Sequence, residues 1–323
     1  MQTPLPATPA NRTFWILFLL LGVVWGSTYA FVGIAVRTLG PFTLVAARLA
    51  IGAAVLAVVF VAARAPLPRG LRTWADLAIL AALNLVIPFS LASWGQETVD
   101  SGLASVLNST IPFFALLLAA GLLADERITW RAVTGLVLGF GGVVVLVAPS
   151  LQAGTRGTLP GEITLLASSV SYGAATVFVR RRLGGVHPIT LAFVQAVFGS
   201  VATAALALAF ERPSATAIQA DTIVAVAWLG VAGSGLAYVA FFRMIEQWGA
   251  TRSSTIAYAL PVVGVFLGWA MLGETIDARV LAGTGLVIVG IARTNGVGIG
   301  RSGRSLRPAR GTGRTVEPER AEA

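Results

Sequence analysis

The sequence has no cysteine, no lysine and a single histidine, and only 11% of its 323 residues carry a charge. Without cysteine there are no disulfides, no thiol nucleophiles and no cysteine-containing zinc sites, and the lone His187 forms no histidine cluster for a metal. Soluble proteins have about 25% charged residues, because a surface that faces water has to be covered. The shortage of charge therefore indicates a chain whose solvent is mostly apolar, and it excludes much of enzyme chemistry.

Long apolar segments dominate what is present, since 56% of the residues are hydrophobic and the mean hydropathy is +0.82. About 20 apolar residues cross a bilayer as a helix, whereas strands of a membrane barrel show alternating polar and apolar residues. We therefore predict an all-α membrane protein with ten spans, the first of which is a retained helix rather than a cleaved signal peptide. The predicted spans are 14–35, 41–62, 74–95, 101–123, 130–149, 160–180, 188–210, 221–242, 252–272 and 278–294.

All 23 basic residues are arginine, and their positions alternate between the two sides of the membrane. With both termini in the cytoplasm, eighteen arginines fall inside, four fall outside and Arg48 alone lies within a span. This bias follows the positive-inside rule. It predicts a multi-pass protein of the cytoplasmic membrane with both termini inside, and it explains the net charge of +9 without nucleic-acid binding. The four outer arginines are Arg37, Arg156, Arg212 and Arg279.

The two halves of the sequence resemble each other. WGSTYAFV from Trp25 aligns with YGAATVFV from Tyr172, and PFTLVAARLAIG from Pro41 aligns with PITLAFVQAVFG from Pro188 at the same offset. Because five spans is an odd number, the second copy enters the membrane from the opposite side, and such inverted repeats are typical of secondary transporters with alternating access. The alternative is that duplication only built a stable bundle. The predicted organisation is a cytoplasmic N-terminus at 1–13, five-helix repeats at 14–149 and 160–294, and a disordered basic cytoplasmic tail at 295–323.

These motifs resemble the drug/metabolite transporter superfamily, and more narrowly its ten-span EamA type. The resemblance is carried by Trp-Gly-Ser in span 1, Ala-Ala-Arg-Leu around Arg48 in span 2, the prolines of spans 4 and 9, and an acidic residue before each Gly-rich fifth span. It implies a secondary carrier, commonly an exporter of amino acids or related small metabolites, whose cavity is lined by helices 1, 3, 4, 6, 8 and 9. Tyr172 and Gln195 stand where the repeat pattern expects Trp and Arg, which predicts that the two halves bind substrate unequally.

Aromatic and small polar side chains within the spans are the candidates for binding a substrate. Polar groups inside a membrane are costly and usually face an interior or a cavity, and aromatic rings with one polar group suit amphipathic molecules. The alternative for the aromatic residues is the belt at the membrane surface, above all for Trp94 at the outer end of span 3. The predicted binding residues are Trp25, Tyr29, Asn84, Ser90, Trp94, Asn108, Tyr172, Tyr238 and Tyr258.

Two prolines and one arginine are further candidates. Pro112 and Pro261 each remove a backbone donor, which frees carbonyl groups for a substrate or water and offers a bend. The alternative is that the small residues around them serve helix packing. Arg48 is a candidate for meeting a substrate carboxylate, but helix 2 is a supporting helix in the resembling family and a long Arg can snorkel or cap carbonyls. A structural role is therefore the favoured interpretation of Arg48.

No residue is a good proton carrier, because every Asp and Glu lies near a span end or in the tail. Facilitated diffusion, exchange and proton antiport stay open, no cofactor is expected, and the expected partners are a small-molecule substrate and the lipid bilayer. Rival functions are a membrane receptor or scaffold that binds without transport and, behind it, a membrane-embedded enzyme, which needs a nucleophile, base or metal cluster. Glycine pairs such as Gly135 and Gly139 predict close helix packing, with a homodimer face as the alternative.

Overall fold

A computed structural model describes residues 9–123, 128–153, 158–211, 219–248 and 253–294, and these ranges contain helices joined by short connections and no strand. The helices of the described ranges are α1 Pro9–Ala35, α2 Pro41–Ala62, α3 Leu71–Gly95, α4 Ser101–Leu122, α5 Trp130–Ala153, α6 Leu159–Leu183, α7 Pro188–Glu211, α8 with the segments Ala220–Trp228, Leu229–Leu236 and Ala237–Trp248, α9 with the segments Ser254–Tyr258 and Ala259–Leu272, and α10 Ala278–Thr294.

Within the described part of the chain, nine helices are long and apolar enough to cross a membrane. The described ranges are therefore all-helical, and the chain is a multi-pass membrane protein, as its composition predicts. The remaining helix, α10, has 17 residues and coincides with the last predicted span. Most predicted limits agree with the helices to within a few residues, whereas α8 continues to Trp248, beyond the predicted end at 242. The predicted tail at 295–323 lies outside the described residues.

Local chemistry sets where α2 begins. Pro41 occupies the first turn, where a missing N–H costs little because that group has no partner within the helix. The carboxylate of Glu211, at the end of α7, accepts hydrogen bonds from the amides of Phe42 and Thr43 at 2.7 and 2.8 Å. Glu274 does the same for the first two amides of α4, also at 2.7 and 2.8 Å. Each carboxylate satisfies free amides and opposes the positive end of a helix, so distant helix ends are tied together.

Six helices of the described ranges contain irregular segments, and two of them, α6 and α7, are irregular only in their last turn, at Val179–Leu183 and Ala207–Glu211. α3 and α8 each contain a π-helical segment, at Ala82–Val86 and Leu229–Leu236. Such segments widen the helix and are common at functional sites. α4 is interrupted just before Pro112, which cannot donate a backbone hydrogen bond, and α9 starts with the 3₁₀ segment Ser254–Tyr258 just before Pro261. Hydropathy does not predict these irregularities, because the apolar pattern runs through them.

The packing partners of the helices are matched between the two halves of the chain. α1 packs against α8 and α9, while α6 packs against α3 and α4. α2 contacts α7 and α8, while α7 contacts α2 and α3, and α5 packs along α10. The last pair approaches closely through glycine, since a Cβ on Gly290 would lie 2.6 Å from the backbone nitrogen of Gly139. Gly135, Gly139 and Gly142 of α5 therefore serve packing inside the chain.

Candidate functional site

A cavity of about 220 Å³ lies where α1, α2, α3, α4, α6, α8 and α9 meet. We call it the central cavity. Six helices of its wall are those that the family resemblance implies, and α2 adds Arg48. The described lining residues are Trp25, Thr28, Tyr29, Val32, Arg48, Phe89, Ala92, Ser93, Gln96, Asn108, Ile111, Tyr172, Gly233, Tyr238 and Leu260.

The fold brings six of the predicted candidates to this one cavity. They come from α1, α2, α4, α6 and α8, so their proximity depends on the packing of helices from both halves. These six are Trp25, Tyr29, Arg48, Asn108, Tyr172 and Tyr238.

Asn108 joins three helices at the cavity wall. Its amide nitrogen donates to the Tyr29 hydroxyl at 3.0 Å, and its amide oxygen accepts from the Ser169 hydroxyl at 3.0 Å. The neighbouring Ser168 hydroxyl donates to the carbonyl of Pro88 at 3.0 Å. A buried polar network whose members are satisfied holds its side chains in one geometry. Asn108 therefore fixes the position of the Tyr29 hydroxyl and ties α1 and α6 to α4.

Aromatic rings form much of the remaining wall. The indole N–H of Trp25 donates to the carbonyl of Gly233, in the π-helical segment of α8, at 3.2 Å. The Trp25 ring meets Tyr238 edge to face with centroids 5.9 Å apart, and Phe89 lies 6.2 Å from Tyr172. Aromatic groups of this kind offer large apolar faces with few rotatable bonds. The arrangement suits a small molecule with a flat or apolar part.

Arg48 brings a positive charge to the cavity wall. Its side chain is only 6% exposed, and its Nε donates to the Ser234 hydroxyl at 3.3 Å. The central carbon of the guanidinium lies 4.1 Å from the ring centroid of Phe89, which is a cation–π contact. The charge is therefore held inside the protein, among groups that face the cavity.

Positions that correspond between the two halves of the chain line the central cavity together. One residue of each pair comes from the first half of the chain and its counterpart from the second half. The cavity therefore lies at the place where the two halves face each other. The pairs are Trp25 with Tyr172, which are 147 residues apart, and Phe89 with Tyr238 and Ile111 with Leu260, which are 149 residues apart like Pro112 and Pro261.

Asn84, a predicted binding residue, lies behind the wall of the central cavity. Its amide nitrogen donates to Oε1 of Gln195 at 2.9 Å, and its side chain also interacts with the Tyr238 hydroxyl. Asn84 therefore supports a lining residue and joins α3 to α7.

Three other predicted residues lie elsewhere. Ser90 and Trp94 line a separate, mostly apolar cavity of about 410 Å³ among α2, α3 and α7. Trp94 is 60% exposed, as a residue of an aromatic belt would be. The hydroxyl of Tyr258 donates to the carbonyl of Ile291 at 3.4 Å, so this side chain joins α9 to α10.

The two prolines sit next to lining residues rather than in the lining. Ile111 and Leu260, which directly precede Pro112 and Pro261, line the central cavity. Pro112 removes the backbone donor of the Asn108 carbonyl, one turn earlier. This carbonyl accepts a hydrogen bond from the Ser169 hydroxyl at 3.4 Å, so a side chain of the protein occupies it.

Several lining residues were not predicted, although the sequence contains a signal for most of them. Thr28 and Val32 follow Trp25 at helical spacing, and Phe89 stands 149 residues before Tyr238, the spacing that also relates Pro112 to Pro261. Applying helical periodicity and the repeat offset to each predicted anchor would have found them. The same periodicity from Phe89 gives Ala92, Ser93 and Gln96.

A further cavity of about 360 Å³ adjoins the central cavity at Gln96. It lies at the ends of α1 and α3 and the start of α4, and we call it the α3–α4 vestibule. Unlike the central cavity, it is lined by charged groups of both signs, including Arg37, Glu97, Asp100 and Glu274. A solute that reaches the central cavity from this end passes these charges first.

Two carboxyl groups of the vestibule hold protons more tightly than usual. Burial and the nearby carboxylate of Glu211 raise the pKa of Glu97. Burial and the carboxylate of Glu274 raise the pKa of Asp100, while Arg279 acts in the opposite direction. Both shifts follow from taking a carboxylate partly out of water beside another negative charge.

The chain is similar to proteins described as transporters. The family model of the EamA-like transporter family matches residues 13–148 and again residues 159–296. An uncharacterized transporter of Archaeoglobus fulgidus is 30% identical over 282 residues, which are 86% of this chain and 96% of that protein. The uncharacterized inner membrane transporter YedA of Escherichia coli is 26% identical over 280 residues, covering 86% of this chain and 89% of that protein.

A solved crystal structure is similar in fold. It superposes with a TM-score of 0.65 at 20% sequence identity, covering 89% of this chain and 99% of that chain. At this identity the likeness concerns the arrangement of helices alone.

Proposed function

We propose that this membrane transporter, which belongs to the EamA-like transporter family, is an exporter. Its substrate is a small metabolite, an amino acid or a related compound. The substrate crosses the cytoplasmic membrane by alternating access. One observation carries the proposal. The central cavity has a wall built from corresponding positions of the two halves, among them Trp25 and Tyr172.

The matched packing of the helices supports two inverted repeats of five spans. A bundle of this kind has a pseudo-two-fold axis in the membrane plane, and the axis relates two packings of nearly equal energy. The pairing of α1 with α8 and α9, matched by α6 with α3 and α4, is what such an axis produces. A cavity on the axis would be open to one side in one packing and to the other side in the second.

The two ends of the central cavity differ, which supports an outward-facing arrangement. One end adjoins the α3–α4 vestibule, which the arginine distribution assigns to the outside. Toward the other end, Trp25 packs against Phe241 with ring centroids 5.1 Å apart. Both rings adjoin an apolar cluster that includes Met244 and Ile256. In the alternative packing this cluster would separate and the vestibule would close.

Solute counterflow in proteoliposomes tests the function. A growth screen of an overexpressing strain against toxic amino acids and related acids supplies the solute, which is then used in labelled form. A carrier accelerates uptake of the label when the unlabelled solute is inside. Saturable binding without such flux would assign the chain to the receptors instead.

A matched pair of tryptophan variants tells whether the central cavity is the path. Trp25→Ala removes a ring from the cavity wall, and we expect counterflow to fall at least about tenfold. Trp94→Ala removes a ring that lies outside this cavity, and we expect counterflow within about twofold of the wild type. Equal loss in both variants would contradict the assignment of the path.

Phosphatase fusions test the proposed orientation. A fusion after Arg156 should be active because that loop lies outside, and one after Arg182 should be inactive because it lies in the cytoplasm. The reverse result would overturn the orientation.

A further inference from the structure

Arg48 is a cation without a counterion in the part of the chain that the structure describes. The ion pairs found there join Arg182 to Asp76 and Arg279 to Asp277, and none includes Arg48. A guanidinium has five N–H donors, and within the same residues it makes one hydrogen bond, from Nε to the neutral hydroxyl of Ser234. A buried charge inside a membrane protein is costly unless it is paired.

Two corresponding side-chain contacts, which we call helix joints, link Arg48 in α2 to α8 and Gln195 in α7 to α3. The joint of the second half shows what the packing of these helices itself requires. Gln195 stands in α7 where Arg48 stands in α2, and it is also buried, with 4% exposed. It accepts a hydrogen bond at 2.9 Å from Asn84 in the π-helical segment of α3, just as Arg48 donates to Ser234 in the π-helical segment of α8. A neutral contact is therefore enough to join these helices. The charge of Arg48 exceeds what packing needs.

The position of the charge indicates where its counterion comes from. Arg48 lines the central cavity, whereas Gln195 is not among the described lining residues. The same described lining contains no Asp or Glu, so Arg48 gives it a net charge of one positive unit. A molecule with one negative charge would neutralise the site. A zwitterion would bring an ammonium group for which this lining offers only neutral acceptors.

We propose that Arg48 binds the carboxylate of a small organic monoanion, whose uncharged apolar part lies against Trp25, Tyr172 and Tyr238. The planar guanidinium matches a carboxylate through two parallel hydrogen bonds, and the aromatic rings supply the apolar surface. This inference rests on the proposed carrier function, and among the proposed amino acids and related compounds it selects monocarboxylates that lack an ammonium group.

Thermal unfolding of the purified protein, followed through its eight tryptophans, tests the proposal with a matched set of probes. Phenylacetate carries the carboxylate, phenylacetamide is its neutral counterpart, phenethylamine is the cation and phenylalanine the zwitterion. At constant ionic strength, phenylacetate should raise Tm in a saturable way and the other three should not. Monocarboxylates from acetate to indole-3-acetate extend the set toward smaller and larger apolar parts.

Variants at the two corresponding positions provide the control. Arg48→Gln copies the residue that the second half already has, and we expect it to weaken phenylacetate binding about 10- to 100-fold. Arg48→Lys keeps the positive charge but lacks the planar guanidinium, so its affinity for phenylacetate should lie between those of the wild type and Arg48→Gln. Gln195→Ala should lower Tm without ligand but keep the preference for phenylacetate over phenylacetamide.

Four results would overturn the assignment of Arg48, three of them with organic probes and one with an inorganic anion. The first three are an equal response of the wild type to phenylacetate and phenylacetamide, no response to any monocarboxylate, and an undiminished response in Arg48→Gln. A Tm increase with chloride that equals the increase with phenylacetate would assign the site to an inorganic anion and also overturn it.

Counterflow separates this inference from the carrier function. If wild-type proteoliposomes exchange labelled phenylalanine as fast as phenylacetate, the carrier stands and the monocarboxylate assignment fails. If phenylacetate stabilises the wild type but not Arg48→Gln, while no solute shows counterflow, the binding site stands and the carrier function fails.

Discussion

The joint between α2 and α8 and the joint between α7 and α3 are built on the same plan with different chemistry. In each, a side chain from the middle of one helix reaches the π-helical segment of its neighbour, Arg48 to Ser234 at 3.3 Å and Gln195 to Asn84 at 2.9 Å. Only the first joint carries a charge and borders the cavity. The duplicated scaffold thus keeps its packing contact in both copies, while only one copy carries a charge at the cavity wall.

The largest expected effect comes from making both joints charged. Gln195→Arg would place a second cation in a buried joint with no described carboxylate to pair with it. We expect the free energy of unfolding to fall by about 3–5 kcal/mol, because an uncompensated buried charge costs that much. Tryptophan-detected Tm and the monodisperse fraction in detergent measure it. Gln195→Met, which removes polarity without adding charge, is the control and should lose much less; an unchanged Tm in Gln195→Arg would contradict the account.

A smaller effect is expected at the two asparagines that tie helices together. Asn108→Ala leaves the Tyr29 hydroxyl without its amide donor, and Asn84→Ala leaves Gln195 without its donor. Each should cost about 1–3 kcal/mol, the usual penalty for a buried polar group that loses its partner. Counterflow distinguishes them, because Asn108 lines the cavity and Asn84 does not. Transport loss in Asn84→Ala alone would contradict this placement.

Arg48→Gln makes both joints neutral. Of the substitutions within the helices, it should change the free energy of unfolding the least. Arg48→Gln removes the cation–π contact with Phe89, but it also removes the cost of an unpaired buried charge. The two effects oppose each other, so we expect the ligand-free unfolding free energy to stay within about 1 kcal/mol of the wild type. Tm without ligand measures this. A loss as large as that for Gln195→Arg would mean that Arg48 is needed for packing.

The smallest effect concerns pH and belongs to the first half alone. Burial and Glu274 raise the pKa of Asp100 in the folded protein, while the corresponding position in the second half is Gly249. A carboxyl group with a raised folded pKa contributes stability at low pH, and this contribution is lost as the pH rises through that pKa. Between about pH 4 and pH 7, Tm of the wild type should therefore fall more than Tm of Asp100→Asn. Parallel curves would show that the Asp100 carboxyl titrates normally.

The sequence predicts the helices well because a span needs about 20 apolar residues and arginines collect in the loops between spans. The predicted limits of α2, 41–62, are those of the helix. The repeat also led to Trp25 and Tyr172 at corresponding positions, and both line the central cavity. The features that could be predicted are the helix limits and the corresponding positions of the two halves, because the hydropathy pattern and the repeat spacing encode them along the chain.

Side-chain partners could not be predicted in the same way. Asn84 was expected to bind substrate, yet its amide reaches Gln195, 111 residues away in the chain. The π-helical segment that aims it there leaves no mark in the hydropathy pattern. Arg48 could not be assigned from the sequence because its role depends on whether a carboxylate lies near it, and that is a property of the packed helices.

The most direct test of the account is whether the central cavity becomes accessible from both sides of the membrane. Since the chain has no cysteine, Tyr172→Cys introduces its only thiol, at the cavity wall. In oriented vesicles, a membrane-impermeant thiol reagent should label it from either side, and bound substrate should slow the labelling. Val201→Cys, at a residue 65% exposed on the apolar surface of α7, should stay unlabelled as the control. Labelling of Tyr172→Cys from one side only, with or without substrate, would contradict alternating access through this cavity.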